Sequence, residues 1–367
     1  MIYFDSAATT LQKPESVPAA VAEAIRTVTT PGRGDHAAAR GAAELLLQCR
    51  TLAAEMFDVS APDNVVLTGN ATQGLNIAIK SLVEPGDTVV ISGYEHNAVT
   101  RPLHAIGGVK VRVVNGRLFD REQMAEGFRR AVDGGVKAVI CCHVSNVFGY
   151  TLPVEEIAGI CAERGVPLVV DAAQSAGILP VQVEKWGAAY VAMPGHKGLY
   201  GPQGTGLLLC GRGQRPRCIL EGGTGSLSRQ QDMPEELPDR LEAGTQNVHG
   251  AAGLLAGMRF VQRLGQTRIA RHEARLMEQL GDGLERKGGY RVFRGGESSV
   301  LSVVPLDRPP EALADQLAAR GVAVRAGLHC APLAHRTAGT EETGTLRFSA
   351  SAFNTQREVE RVLALMP

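Results

Sequence analysis

The sequence predicts an α/β protein, with a mostly parallel central sheet in a large domain and a smaller α+β domain after it. Three observations carry that expectation. From residue 60 onward, short β-branched runs end in Gly or polar residues and give way to segments of helical period. Those runs are almost continuously apolar, as strands covered on both faces must be. Near residue 250 the alternation stops, and long helical segments with isolated strands take over.

Taken in order, Asn64 to Leu67 reads as the first strand of the alternation, leading into Thr68-Gly-Asn-Ala-Thr-Gln73 and a helix from about Gly74 to Leu82. Asp87 to Ile91 is the next, followed by Ser92-Gly-Tyr-Glu-His96 and a helix through Leu103. Strands at Lys110 to Val114 and Ala138 to Cys142 flank a helix from Arg121 to Val132. Pro167 to Asp171, Ala189 to Met193 and Gly206 to Cys210 complete this set. The Gly- and Pro-rich segment 211–240 reads as a surface excursion. Beyond it a helical stretch runs from His249 to Arg286, broken near Gly265. A strand at Val300 to Val304, a helix from Glu311 to Arg320 and a strand at Val322 to Arg325 follow. Leu346 to Ser349 then precedes a terminal helix from Thr355.

Composition bounds the function. With 367 residues and 44% apolar positions the chain can build a large core. Thirty-eight basic residues balance 38 acidic ones, which argues against nucleic acid or an anionic membrane as a partner. No apolar run approaches the ~18 residues of a membrane span. The opening Met1 to Asp5 has neither a basic nor an apolar leader segment, so a cytoplasmic location is expected. The seven cysteines form no CxxC pair and are odd in number; neither a metal site nor a disulfide framework is expected, and most should be small buried apolar residues. Only seven of the 38 basic residues are lysines, which narrows the search for a catalytic one.

In parallel α/β sheets ligands bind beyond the carboxyl ends of the strands. After the first strand, Thr68 to Gly74 places small residues and free N–H groups at a helix start, an anion site in principle. Taken alone, an ordinary capped turn explains it better. His96 and Asn146 each follow a strand, and alone each reads equally as a turn or capping residue. Asp171 ends the apolar run Leu168-Val-Val170, where a carboxylate is costly unless paired. A structural ion pair accounts for it as well as a functional role does. The sharpest feature is Pro194-Gly-His-Lys197-Gly-Leu-Tyr-Gly201. A lysine in a glycine-rich turn just past an apolar strand is misplaced for a solvated charge, and a desolvated amine is a natural nucleophile toward aldehydes. A phosphate cradle, a carboxylate for a pyridinium nitrogen and a lysine for an aldehyde together point to pyridoxal 5'-phosphate.

These motifs fall in a known order. Asp5-Ser-Ala-Ala8, Ala71-Thr-Gln-Gly-Leu-Asn76, Glu95-His96, Ser145-Asn-Val-Phe-Gly149, Asp171-Ala-Ala-Gln174, Gly195-His-Lys197, Glu242-Ala-Gly-Thr-Gln-Asn247 and Arg325-Ala-Gly-Leu-His-Cys-Ala-Pro332 resemble the cysteine desulfurases of the class V aminotransferase family, fold type I among the pyridoxal-phosphate-dependent transferases. The resemblance spans essentially the whole chain and is nearest to the branch that includes selenocysteine lyases. It implies a large domain over 12–250 and a small one from 1–11 and 251–367 that carries the catalytic-cysteine loop. It implies that Lys197 carries the cofactor, Asp171 pairs with its pyridine nitrogen, Gln174 meets its phenolic oxygen and His96 stacks on its ring. Ala71, Thr72 and His196 would hold the phosphate, with Thr245 reaching the phosphate of the other subunit of a homodimer. Arg347 matches the group that grips the substrate carboxylate. Asn146 would lie near substrate and cofactor, His36 near the entrance, and Cys330 would take the sulfur as a persulfide.

The implied reaction is a sulfur transfer. L-cysteine, or L-selenocysteine in the alternative, displaces Lys197, the freed amine takes the Cα proton, and the Cys330 thiolate attacks the departing sulfur. Alanine remains, and a sulfur-acceptor protein is the expected recipient of the persulfide. Competing readings are selenocysteine lyase, cysteine C–S lyase, amino-acid epimerase and a non-catalytic scaffold; Cys330 separates the first three from a desulfurase, and intact Lys197, Asp171 and Arg347 weigh against the last. The chain departs from the family in having Pro194 where Ser is common, Gly198 after the lysine and Leu328 before His329. Pro194 removes a hydroxyl and an N–H from the phosphate cradle.

Overall fold

The computed structural model describes residues 1–31, 34–296 and 298–367. The chain opens with β1 (Ile2–Tyr3), α1 (Ser16–Thr27) and α2 (Ala37–Phe57). Strands and helices then alternate through β2 (Val65–Thr68), α3 (Ala71–Leu82), β3 (Thr88–Ser92), α4 (Asn97–Ile106), β4 (Lys110–Val114) and α5 (Arg121–Ala131). They continue through β5 (Val136–Cys142), α6 (Val154–Arg164), β6 (Leu168–Asp171), α7 (Val183–Trp186), β7 (Tyr190–Pro194) and β8 (Gly206–Cys210). After a segment without helix or strand come α8 (Val248–Leu264), α9 (Gln266–Lys287), β9 (Tyr290–Phe293), β10 (Val300–Pro305) and α10 (Pro310–Ala318). The chain closes with β11 (Val322–Ala323), β12 (Arg325–Gly327), α11 (Pro332–Ala338), β13 (Thr345–Ser349) and α12 (Gln356–Leu365).

The main sheet has the order β2-β8-β7-β6-β5-β3-β4. Every neighbouring pair from β7 to β4 is parallel, and only β8 runs against both of its neighbours. Alternate residues of the central strands enter two separate cores, Val139, Cys141, Val170 and Val191 on one face and Ala138, Ile140, Val169 and Ala192 on the other. Two covered faces explain the unbroken apolar runs. At the far edge β4 leaves Lys110 and Arg112 exposed, which discourages further strand pairing.

Local chemistry sets the ends of these elements. Asn70 caps α3 by accepting the Gln73 N–H, so the helix starts at Ala71, three residues before the sequence expectation. Gly165 ends α6 in the left-handed conformation, and Thr355 with Glu358 forms a capping box on α12. The strand expected over Val322 to Arg325 is two strands: β11 pairs parallel with β1, whereas β12 pairs antiparallel with β13. The amino-terminal strand takes Val322, and the chain then turns to a second, four-stranded sheet of order β12-β13-β10-β9. Phe4 lies in the core of that sheet with Leu301, Leu346 and Phe348. The expected 250/251 domain boundary falls inside α8, because Ala251, Leu254, Leu255 and Met258 pack in the core of the large sheet. Helices α1, α2, α6, α7 and α11 and strands β1 and β9 were not singled out by the sequence pattern.

Candidate active site

The carboxyl ends of β2, β3, β5, β6 and β7 converge on one cavity holding about 560 Å³ of empty space, the part open to solvent included. Parallel strands bring this about: every connection at that end starts a helix or a turn, and each contributes one or two polar residues. Ala71 and Thr72 arrive at the start of α3, His96 at the start of α4, Asn146 after β5, Asp171 and Gln174 at the end of β6, and His196 and Lys197 after β7. All eight of these positions line the cavity.

Charge and burial tune them. Burial pushes the Lys197 amine down to about 8, with the Asp171 carboxylate pulling the other way. Asp171 is buried, and desolvation raises its carboxyl above the usual range although the Ala173 N–H donates to Oδ1 at 2.9 Å. His96 caps α4, accepting the Ala98 N–H at Nδ1 (3.0 Å), which leaves the ring proton on Nε2. Burial and then the Lys197 charge hold this ring near 4, so it is neutral at pH 7. His196 is likewise pushed to about 4 by burial, and its Nδ1 lies 3.1 Å from the Thr9 hydroxyl. Gln174 donates to the Ala7 carbonyl at 3.0 Å.

Arg347 and Cys330 come from the carboxyl-terminal part of the chain. Arg347, on β13 and fully buried, donates to Asp5 Oδ1 at 2.7 Å and to the Asn146 carbonyl at 3.0 Å, and its Nε has no partner among the described residues. Cys330 is exposed, between β12 and α11, and its carbonyl accepts the Asn97 N–H at 2.8 Å. Five other cysteines are buried, as expected. His329 points away from this opening: its Nε2 lies 3.1 Å from the carbonyl and the hydroxyl of Thr345, and burial drives it to about 2. A carbonyl partner requires a proton on Nε2, so the ring is a neutral anchor.

Two expected positions lie elsewhere. Thr245 is exposed and lines a second cavity with Thr68, Gly69 and Gln73. His36 is exposed and caps α2, accepting the Ala39 N–H. Sequence reasoning missed two groups beside the site. Lys13 donates to the His196 carbonyl at 3.0 Å and to the Thr10 hydroxyl, clamping the turn that carries Lys197. Glu95 is wholly buried, accepts the Cys142 N–H at 2.8 Å, and is pushed up to about 8 by burial. Glu95 stood in the motif Glu95-His96, three residues past the end of β3, without a role of its own, and no sequence pattern pointed to Lys13.

The cavity suits pyridoxal phosphate. Among the described residues no hydrogen bond reaches Lys197 Nζ or Asp171 Oδ2, and the buried Asn146 Oδ1 has no partner. An aldehyde carbon, a pyridinium N–H and a donor on the ligand are the chemistries these three atoms lack. Free N–H groups at the start of α3 and the nearby His196 suit a phosphate.

Comparison with known proteins agrees with this geometry. The aminotransferase class-V family model matches residues 2–362. A protein of Methanothermobacter thermautotrophicus named "Probable cysteine desulfurase" is 34% identical over 98% of this chain and 92% of its own length. One of the same name from Pyrococcus abyssi is 30% identical over 100% of this chain and 93% of its own. The apo structure of a cysteine desulfurase from Thermococcus onnurineus NA1 superposes with a TM-score of 0.89 at 30% identity, covering 100% of this chain and 93% of that one. With the family's pattern running almost from end to end, the chain belongs to the class-V aminotransferases and, within them, to the cysteine desulfurases.

Proposed function

We propose that the protein is a pyridoxal-phosphate-dependent L-cysteine desulfurase that converts L-cysteine and the Cys330 thiol into L-alanine and a Cys330 persulfide. The observation that carries this reading is the exposed Cys330, whose carbonyl accepts the N–H of Asn97, the residue next to His96 in the wall of the cavity that contains Lys197. When bound, pyridoxal phosphate supplies the electron sink that lets the Cα–H and Cβ–S bonds break.

The chain's own groups do the rest. Lys197 Nζ anchors the cofactor at rest and, once released, takes the proton from Cα. Its lowered basicity leaves a neutral fraction able to do both near pH 7 to 8. Asp171, whose Oδ1 is held by the Ala173 N–H, would accept at Oδ2 from the ring nitrogen and favour its protonated form. Ala71, Thr72 and His196 hold the phosphate, joined by Thr245 from the second subunit of a homodimer. Gln174 and the neutral His96, both in the cavity wall, would hold the cofactor ring. Arg347 orients the substrate carboxylate, itself aimed by Asp5 and the Asn146 carbonyl. The Cys330 sulfur forms the S–S bond as the substrate's Cβ–S bond breaks. Its persulfide then passes to an acceptor protein in the cytoplasm.

Replacing Cys330 by Ala tests this directly. The variant should bind cofactor and L-cysteine but make little alanine and carry no persulfide, while L-selenocysteine still reacts because its leaving group needs no protein thiol. Full desulfuration of L-cysteine by Cys330→Ala would instead establish the simple lyase reading.

A further inference from the structure

The segment joining β12 to α11 has an unusual backbone. His329 (φ 49°) and Cys330 (φ 57°) both lie in the left-handed region, which Cys rarely enters and which non-glycine residues seldom occupy two in a row. Such a conformation persists only where its surroundings over-determine it. Here they do. The Asn146 side-chain amide donates to the His329 carbonyl at 2.8 Å, and the Asn97 backbone N–H donates to the Cys330 carbonyl at 2.8 Å. The His329 ring is anchored at Thr345, and Ala331 and Ala334 behind it are buried in the core of the large sheet. Thr337, one turn on, donates to the Gly93 carbonyl at 2.9 Å. Two successive carbonyls of this segment are thus bonded to the carboxyl ends of β3 and β5, the strand ends that form the cavity wall.

We propose that residues 328–331 form a strained clasp, latched by the Asn146 amide and the Asn97 N–H, and that Asn146 is through this bond a positioning residue for the Cys330 thiol. The proposal rests on the reading that Cys330 accepts the sulfur. Attack on sulfur needs near-linear approach, so a thiol displaced by about 1 Å loses much of its rate. Releasing either latch lets the two left-handed residues relax to ordinary backbone angles, and the Cys330 side chain moves with them. Exposure and fixed placement are then combined: the persulfide is open to an acceptor, yet the thiol does not search for its target.

Asn97→Pro isolates the latch. It removes one N–H at the first position of α4, where proline is favoured, and His96 (φ −75°, ψ 158°) already has the extended conformation that precedes proline. Asn97→Ala, which keeps the N–H, is the control, and Asn146→Asp removes the second donor with little change of shape. In the holoenzymes, hydrogen–deuterium exchange over residues 327–331 and single-turnover persulfide formation on Cys330 are followed by mass spectrometry. Asn97→Pro and Asn146→Asp should exchange about tenfold faster there, the weight of one buried hydrogen bond. Persulfide should form more slowly in both by a similar factor, and Asn97→Ala should match wild type. In Asn97→Pro the first absorbance change after L-cysteine is added should keep its wild-type rate. Wild-type exchange and persulfide rates in Asn97→Pro, or equal losses in Asn97→Ala, would overturn the clasp. A wild-type enzyme that puts no persulfide on Cys330 overturns the desulfurase reading alone, and the exchange comparison still decides the latch.

Discussion

Lys197 shows how far burial can retune one side chain. Its amine sits at about 8, well below an ordinary lysine, because desolvation outweighs the attraction of Asp171. In the apoprotein the rate at which Lys197 captures an aldehyde, trapped by borohydride and mapped by mass spectrometry, should rise with pH through about 8 and level off above it. A rise centred near 10.5, or an adduct on another lysine, would contradict the assignment. Asp171 makes the complementary case. Asn at this position keeps the shape but holds a ring proton poorly, so loss of the Cα proton, read as deuterium washout, should slow by roughly a hundredfold or more while cofactor stays bound. Near-normal washout would remove Asp171 from the role. Both residues were legible in the sequence because a charge at the end of an apolar strand is out of place without a partner. His329 was not. Only its bond to the Thr345 carbonyl reveals a neutral anchor.

At the scale of elements, the excursion that follows β8 is tied down by one buried ion pair. Arg50 on α2 meets Glu242 with two bonds, at 2.7 and 2.6 Å, and Glu242 also accepts the Leu67 N–H of the edge strand β2 at 2.7 Å. Both side chains are almost fully buried. Removing one partner strands the other charge, so Glu242→Ala should lower stability by about 3–5 kcal/mol, measured as a fall in the urea midpoint at constant m. A change below about 1 kcal/mol, the weight of an exposed pair, would show that solvent reaches this contact. Strand spacing and apolarity located most of the strands and helices, since their periods depend on local pattern. The split between β11 and β12 escaped, because Val322 takes its partner from Ile2, far away in the sequence.

For the whole molecule, Thr245 is decisive: it is exposed and lines a cavity other than the one that contains Lys197 of its own chain. If it serves the partner's phosphate, the protein in solution should have twice the 38.8 kDa chain mass. Thr245→Ala should then weaken cofactor retention about tenfold, as loss of a hydrogen bond to a charged group does. Mixed dimers of Thr245→Ala and Lys197→Ala chains make the test specific. One of their two sites has both Lys197 and Thr245 when the threonine acts across the dimer, so half of the sites should bind cofactor with wild-type strength. No restored site would mean that Thr245 acts within its own subunit or not at all.

The resemblance to the family pointed to Cys330 and Arg347, whereas the sequence's own pattern determined the α/β alternation and the strand ends that bear His96, Asn146, Asp171 and Lys197. These are local properties: period, apolarity, and polar residues where apolar runs stop. Tertiary structure alone decided which of them meet. It brought Lys13 onto the Lys197 turn, joined Arg347 to Asp5, and set the Cys330 loop against Asn146 and Asn97. It also left His36 and Thr245 outside the cavity. The physical reason is that hydrogen bonds and ion pairs between residues hundreds of positions apart depend on how two sheets pack, and no local pattern records that packing.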